Sequence, residues 1–163
     1  MDTYLAITSK RDQRRYADRP VPVEVERRIL DAGRVSGNSQ NRQEWEFVVV
    51  SDHEAVAEAV YAPHNVRTAA LVVAIVAKRA FDAGRAAQNM MLAAWNEGIG
   101  SCPNGTPDPA AVGELLGLEA GEEPAIILTF GYPARPVDPE SRSPEEWIER
   151  ANRKPFDEVV KSV

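Results

Sequence analysis

Apolar positions recur along the chain with two different periods, and the changes of period mark out the elements. Tyr4 to Ser9 reads as a short helix, closed by the Arg19-Pro20-Val21-Pro22 segment, where proline removes donors and fixes φ. Val25, Ile29, Leu30 and Ala32 follow at helical spacing, with Gly33 as a stop signal. Ser36 to Arg42 is polar and reads as a loop. Trp45 to Val50 is rich in β-formers, and Asp52 is placed to cap a helix through Val60. Leu71 to Val76 and Ala125 to Phe130 are continuous apolar runs of the kind found in buried strands. Phe81 to Glu97 carries apolar residues at helical spacing, many of them small, and Gly98 ends it. A helix this apolar is either central in its own domain or buried between subunits. Asp108-Pro109 caps a helix that stops near Gly117. Ser143-Pro144-Glu145-Glu146 is a capping box ahead of a helix carrying Trp147 and Ile148. About three or four strands with about five helices predict α+β or α/β layering.

Length and charge narrow this picture. At 163 residues the chain predicts one domain around one core, spanning 1–163. Net charge is -6, which argues against sequence-independent binding of nucleic acid, since that needs a broad basic surface. The longest apolar run, Ala69 to Ala77, is too short to cross a bilayer. The acidic start Met1-Asp2-Thr3 lacks a secretory pattern, and the single Cys102 fits a reducing compartment, so a cytoplasmic setting is expected. By itself Cys102 reads as a small buried apolar residue.

Acid–base and metal chemistry have few candidates. His53 and His64 are the only histidines, and neither has a partner at metal-ligand spacing. Gly98-Ile99-Gly100 follows a helix, not a strand, and so does not form a dinucleotide-binding turn. If the protein is an enzyme, a bound cofactor is expected to carry the chemistry. The feature that stands out in this acidic chain is the run Lys10-Arg11-Asp12-Gln13-Arg14-Arg15, with a second basic set at Arg150, Arg153 and Lys154. Guanidinium forks match phosphate oxygens. From pattern alone, a phosphate site and a solvated charge run fit equally well.

Taken in order, several segments resemble the FMN-dependent nitroreductase family. They are Lys10-Arg11-Asp12-Gln13-Arg14-Arg15-Tyr16 before Pro20-Val21-Pro22, and Gly37-Asn38-Ser39-Gln40-Asn41-Arg42-Gln43-Glu44-Trp45 before Phe47-Val48-Val49-Val50. Asp82-Ala83-Gly84 and Gln88-Asn89-Met90-Met91-Leu92-Ala93-Ala94 lead to Gly98-Ile99-Gly100-Ser101-Cys102. Gly131-Tyr132-Pro133 and Arg153-Lys154-Pro155-Phe156-Asp157-Glu158-Val159-Val160 complete the series. The resemblance covers nearly the whole chain.

The resemblance implies a homodimeric α+β fold of three layers, with a central mixed, mainly antiparallel sheet flanked by helices. It implies FMN as cofactor, NAD(P)H as reductant, and a nitroaromatic, quinone or related small acceptor. Lys10, Arg11, Asp12 and Arg14 match the segment that holds the FMN phosphate and ribityl chain, and Arg153 a later phosphate contact. Asn38, Ser39 and Asn41 match a loop that reaches the flavin ring from the partner subunit. Asn65 matches a contact to the pyrimidine edge, and Pro103, Asn104 and Gly105 a turn near the flavin's reactive nitrogen. Three places depart from the family pattern. Asp12 stands for a serine, Gly37-Asn38 for Pro-Ser, and Glu44 for the proline before the tryptophan. The stretch from Trp45 to Phe81 is short for the family, which implies an open site, an unusual substrate or weakened flavin binding. A second reading is a family member that holds a flavin or other phosphate ligand without turnover. A third is a ligand-free dimerisation domain.

Overall fold

A computed structural model describes residues 1–162. In chain order the helices and strands are α1 (Thr3–Ser9), α2 (Val23–Arg34), β1 (Trp45–Val49), α3 (His53–Ala57), α4 (Pro63–Thr68), β2 (Leu71–Ala77), α5 (Ala80–Asn96), β3 (Gly100–Asn104), α6 (Pro109–Leu115), β4 (Pro124–Gly131), α7 (Pro144–Arg150) and α8 (Phe156–Val159). Short 3-10 turns lie at Ser39–Asn41 and Pro139–Ser141. The chain divides into two compact units. One is formed by the chain ends, Met1–Lys10 with the chain from Asp138 onward, and the other is Arg11–Val137.

The larger unit has three layers. Its sheet runs β1-β2-β4-β3, and every neighbouring pair is antiparallel. The parallel component expected of a mixed sheet is confined to an isolated bridge between Asp12 and Ser101. Alternation along the strands sends side chains to opposite faces. Val73, Ile75, Leu128 and Phe130 meet Ile29 of α2 and Met90 of α5 on one side. Val72, Ala74 and Ile127 meet Val56 of α3, Val66 of α4 and Val112 of α6 on the other. In α5, Ala83, Ala86, Ala87, Met90, Met91, Ala94 and Trp95 are buried within this unit, so the helix is central in its own fold.

Gly33 does not stop α2, which continues to Arg34. The glycine is there for packing: a Cβ would stand 2.8 Å from Met90 Sδ and 3.1 Å from Phe47 Cζ. Strand β3 escaped the pattern reading because Gly-Ser-Cys-Pro-Asn contains no β-branched residue and includes a proline. Proline is tolerated there because β3 is an edge strand, paired by its ladder only to β4. Helix α4 is likewise brief, and it is held by burial of Asn65 and Val66 more than by any periodic run.

In the terminal unit, α1 packs against α7. Asp2 caps α1 by accepting the Tyr4 N–H at 2.7 Å. The Ser143–Glu146 capping box starts α7 as expected. Trp147 Nε1 donates to the Pro139 carbonyl at 2.8 Å, and the Arg142 guanidinium lies 4.9 Å from the Trp147 ring centroid.

A buried polar network lies on the α3–α4–α6 side of the sheet. The Thr129 hydroxyl donates to the Cys102 carbonyl at 3.1 Å and lies 2.9 Å from the Tyr16 hydroxyl. Burial pushes the Tyr16 hydroxyl well above the ordinary phenol value, against a smaller opposing effect of the Thr129 hydrogen bond. The phenol is therefore a neutral donor over the whole physiological range.

Two outcomes follow from this packing. Gly33→Ala is expected to cost about 1–3 kcal/mol through overpacking. Gly84→Ala, with no atom within 4 Å of the added Cβ, is expected to gain about 0.5–1 kcal/mol from helix propensity. Urea midpoints of the two variants should move in opposite directions. The second outcome concerns alkaline pH. The unfolded phenol ionises near its ordinary value of about 10, whereas the folded one ionises higher. Stability should therefore hold below about pH 10 and fall above it, with a slope from this group approaching ~1.4 kcal/mol per pH unit. Tyr16→Phe should remove that component of the slope in denaturant titrations at successive pH values.

Candidate functional site

The basic run reaches its position by lying extended along the sheet. Its backbone forms the bridge to Ser101, and the Gln13 N–H donates to the Ser101 carbonyl at 2.9 Å. A Cβ on Gly100 would stand 2.6 Å from Gln13 Cγ, so this approach needs glycine. Further along, Tyr16 bridges to Pro133, and the Ala17 N–H donates to the Tyr132 carbonyl at 2.8 Å. The Tyr16 side chain crosses Gly131, where a Cβ would stand 2.9 Å from the ring. The segment is thus an added edge to β3 and the end of β4. Along it Tyr16 is buried, Arg11 is half-buried, and Asp12 and Arg14 face solvent. Arg11, Asp12 and Arg14 belong to the larger unit, while Lys10 and Arg153 belong to the terminal unit.

The turn after β3 is built differently from expectation. Pro103 and Asn104 are strand residues, and only Gly105 lies beyond the strand. The Asn104 side chain is buried, where it donates to the Cys102 carbonyl at 3.0 Å and to Thr129 Oγ1 at 3.2 Å. Asn65 is buried as well, and its amide donates to Asn104 Oδ1 at 2.8 Å and faces Cys102 Sγ at 3.6 Å. Both amides therefore have their N–H groups committed inside the protein. The Gly105 carbonyl accepts the Tyr61 N–H at 3.1 Å, and the Tyr61 ring stands beside Gly105 while remaining 72% exposed. Sequence reasoning missed Tyr61, Thr129 and Tyr16 as site-building residues. Tyr61 sits in an irregular stretch between two short helices, where no periodicity singles it out.

The third expected part is the loop at residues 36–43. Asn38 Oδ1 accepts the Gln43 N–H at 2.8 Å, which closes the loop on itself. Gln40, Asn41 and Gln43 all have left-handed φ near +55° (55, 54 and 54). Left-handed non-glycine residues cost free energy and cluster at ligand-contacting segments. Ser36 anchors the loop base by accepting the Asn89 side-chain amide of α5 at 2.7 Å. Ser39 and Asn41 are exposed, and Asn38 is half-buried.

Beside Tyr16 lies a cleft of about 490 Å³, lined by residues 16–20 and 67–70. It contains none of the residues expected at the site. Arg67 on its wall pairs with Glu54 and Glu58, and the Arg67 hydrogen bond holds the Glu54 carboxyl below its ordinary value. Arg19, on the same wall, places its guanidinium 3.6 Å from the Tyr132 ring centroid. Among the described residues no three His, Cys, Asp or Glu side chains gather as a metal site, and no helix is long and apolar enough to cross a membrane.

The arrangement can do one thing well. Guanidinium groups on a segment docked near the start of β3 can hold a phosphorylated ligand by its phosphate. Known proteins agree with this architecture. The chain is similar over its full length to a protein from Desulfovibrio desulfuricans described as a nitroreductase and solved in complex with FMN (25% identity, 100% of this chain and 98% of that one, TM-score 0.84). A nitroreductase family protein from Clostridium difficile shares the fold at 24% identity, with 99% and 98% covered and a TM-score of 0.82. The NADH dehydrogenase of Thermus thermophilus is 27% identical over 91% of this chain and 95% of its own length. The family model for nitroreductases matches residues 7–79 and 77–132, which is more than half of the chain and takes in the basic run, the 36–43 loop and β3, and on that ground the chain belongs to the nitroreductase family.

Proposed function

We propose that this protein is an FMN-dependent oxidoreductase that passes a hydride from NAD(P)H through bound flavin to a nitroaromatic, quinone or related small acceptor. The observation that carries the reading is the docking of the basic run near the start of β3, through the Asp12–Ser101 bridge and the Gln13–Ser101 hydrogen bond. Relatives named for NADH oxidation and a similar structure solved with FMN support it.

The donor chemistry of the residues fits the cofactor. Arg11 and Arg14 supply forked cations for a dianionic phosphate. Asn38, Ser39 and Asn41 lie on a loop open to solvent, suited to meet the ring from a partner subunit of a homodimer. Gly105 and the main chain of Asn104 form the surface offered near the ring's reactive nitrogen. Asn65 acts on this surface through Asn104, since its N–H groups are already committed. When bound, FMN supplies the hydride chemistry itself, at its ring. The protein's part is to hold, orient and leave one face open, which suits a chain with few acid–base candidates. A reducing cytosol is the setting in which NAD(P)H is available and the single Cys102 stays a thiol.

The purified protein is expected to take up one FMN per chain and then to oxidise NADH or NADPH when a nitroaromatic or quinone is added. Arg14→Ala should weaken FMN binding about tenfold, the loss of one hydrogen bond to a charged group. A protein that leaves FMN fluorescence unchanged on titration would refute the reading. Asp12 is the specific observation behind the second reading, a ligand-holding member without turnover. A carboxylate a few ångströms from a phosphate opposes it by roughly 1 kcal/mol even in water. Asp12→Ser is therefore expected to tighten FMN binding several-fold by the same titration. Unchanged affinity would place the carboxylate away from the phosphate.

A further inference from the structure

The polar network beneath the site is more elaborate than the fold requires. Thr129 lies mid-strand in β4 at 0% exposure, among apolar neighbours Ile127, Leu128 and Phe130. A valine of the same shape would satisfy the packing. Instead its hydroxyl accepts from Asn104 Nδ2 at 3.2 Å, donates to the Cys102 carbonyl at 3.1 Å and meets the Tyr16 hydroxyl at 2.9 Å. Tyr16 also reaches the Thr129 carbonyl at 3.2 Å. Tyr16 is the inward anchor of the basic run, two residues beyond Arg14. Asn104 is the last residue of β3 before Gly105, and Asn65 reaches the same point from α4. One hydroxyl thus joins the segment assigned to the phosphate and the strand end assigned to the flavin ring. Because the phenol is held neutral by burial, the connection is a chain of uncharged hydrogen bonds, and in this dry setting each keeps its full directional strength.

We propose that Thr129 is a positioning residue that fixes the basic run and the Asn104–Gly105 turn as one rigid seat, and so sets how the flavin ring is held relative to its phosphate. This rests on the flavin reading given above. Thr129 touches no ligand. It acts through Asn104, whose committed side chain fixes the direction of the turn's main chain, and through Tyr16, whose ring fixes the run. A purely structural threonine would affect stability and leave the bound flavin's properties alone.

The experiment compares wild type, Thr129→Val, Thr129→Ser and Tyr16→Phe, each loaded with FMN. Thr129→Val is expected to weaken FMN about fivefold, to alter the band shape of bound flavin in the visible spectrum, and to slow flavin reduction by NADH about tenfold at saturating NADH. Thr129→Ser should restore all three. In a double-mutant cycle, Arg14→Ala and Thr129→Val should be non-additive on FMN affinity, since both act on one seat. A Thr129→Val protein with wild-type affinity, spectrum and reduction rate would overturn the proposal, as would a serine variant that behaves like valine. If the valine variant does not fold, Tyr16→Phe carries the test, because it keeps the ring over Gly131 and removes only the hydroxyl that meets Thr129 Oγ1 and the Thr129 carbonyl. Wild-type spectrum and affinity in that variant would equally overturn the role of the network. A wild-type chain that takes up no FMN overturns the flavin reading itself. A flavin-loaded wild type with indifferent variants overturns only the role of Thr129.

Discussion

The close approach of the Arg11–Tyr16 backbone to the sheet is the constraint on which the rest depends. Two glycines allow it. At Gly100 and Gly131 any Cβ would overlap Gln13 and Tyr16, so both positions must lack one for the run to lie flat. Hydrogen bonds at Ser101, Tyr132 and Arg15 then fix its register. Without this docking, several cations would be a mobile surface cluster of little energetic consequence, because each long side chain would lose its entropy on every contact. With it, the guanidiniums start from a fixed rail, and a phosphate meets donors whose backbone is already ordered.

The same docking creates the polar network as a necessity. Tyr16 buries a hydroxyl, and a buried hydroxyl without a partner costs about 1–3 kcal/mol. Thr129 supplies the partner and in turn needs acceptors and donors of its own, which Cys102 and Asn104 provide. Satisfaction propagates from the run to β3 and then to α4 through Asn65. A single local demand therefore organises three separate stretches of chain around one point. Ser101 marks how tightly this region is packed, since its hydroxyl oxygen is buried without a hydrogen-bond partner among the described residues.

What the sequence makes legible divides along physical lines. Strands β2 and β4 and helices α2 and α5 stand out because each buries a long apolar surface, and apolar periodicity reports that directly. Strand β3 does not, since it is held by pairing and by the glycine-enabled contact, and neither leaves a periodic trace. Gly33 is a case of the right residue with the wrong reason. Glycine near a helix end is usually a stop, but here the close contact with Met90 and Phe47 selects it. At the site, the charges of Arg11 and Arg14 were visible because guanidinium chemistry is local. The commitments of Asn65 and Asn104 were not visible, because an amide in a sequence carries no sign of whether it faces a ligand or a neighbouring strand. The helix-interface alternative for α5 was also undecidable from pattern, and burial of its small residues in its own unit settles that face as core.

Net charge and local charge point in opposite directions in this molecule, and the difference is informative. A chain at -6 repels a dianion at long range, yet beyond about a Debye length of ~8 Å at physiological salt that repulsion is screened. Within that distance the Arg11–Arg15 segment dominates. The affinity for phosphate proposed for this run would be a matter of a few residues, and Asp12 is the one charge of the wrong sign among them. Its backbone forms the bridge to Ser101, so its charge enters at a fixed point of the run.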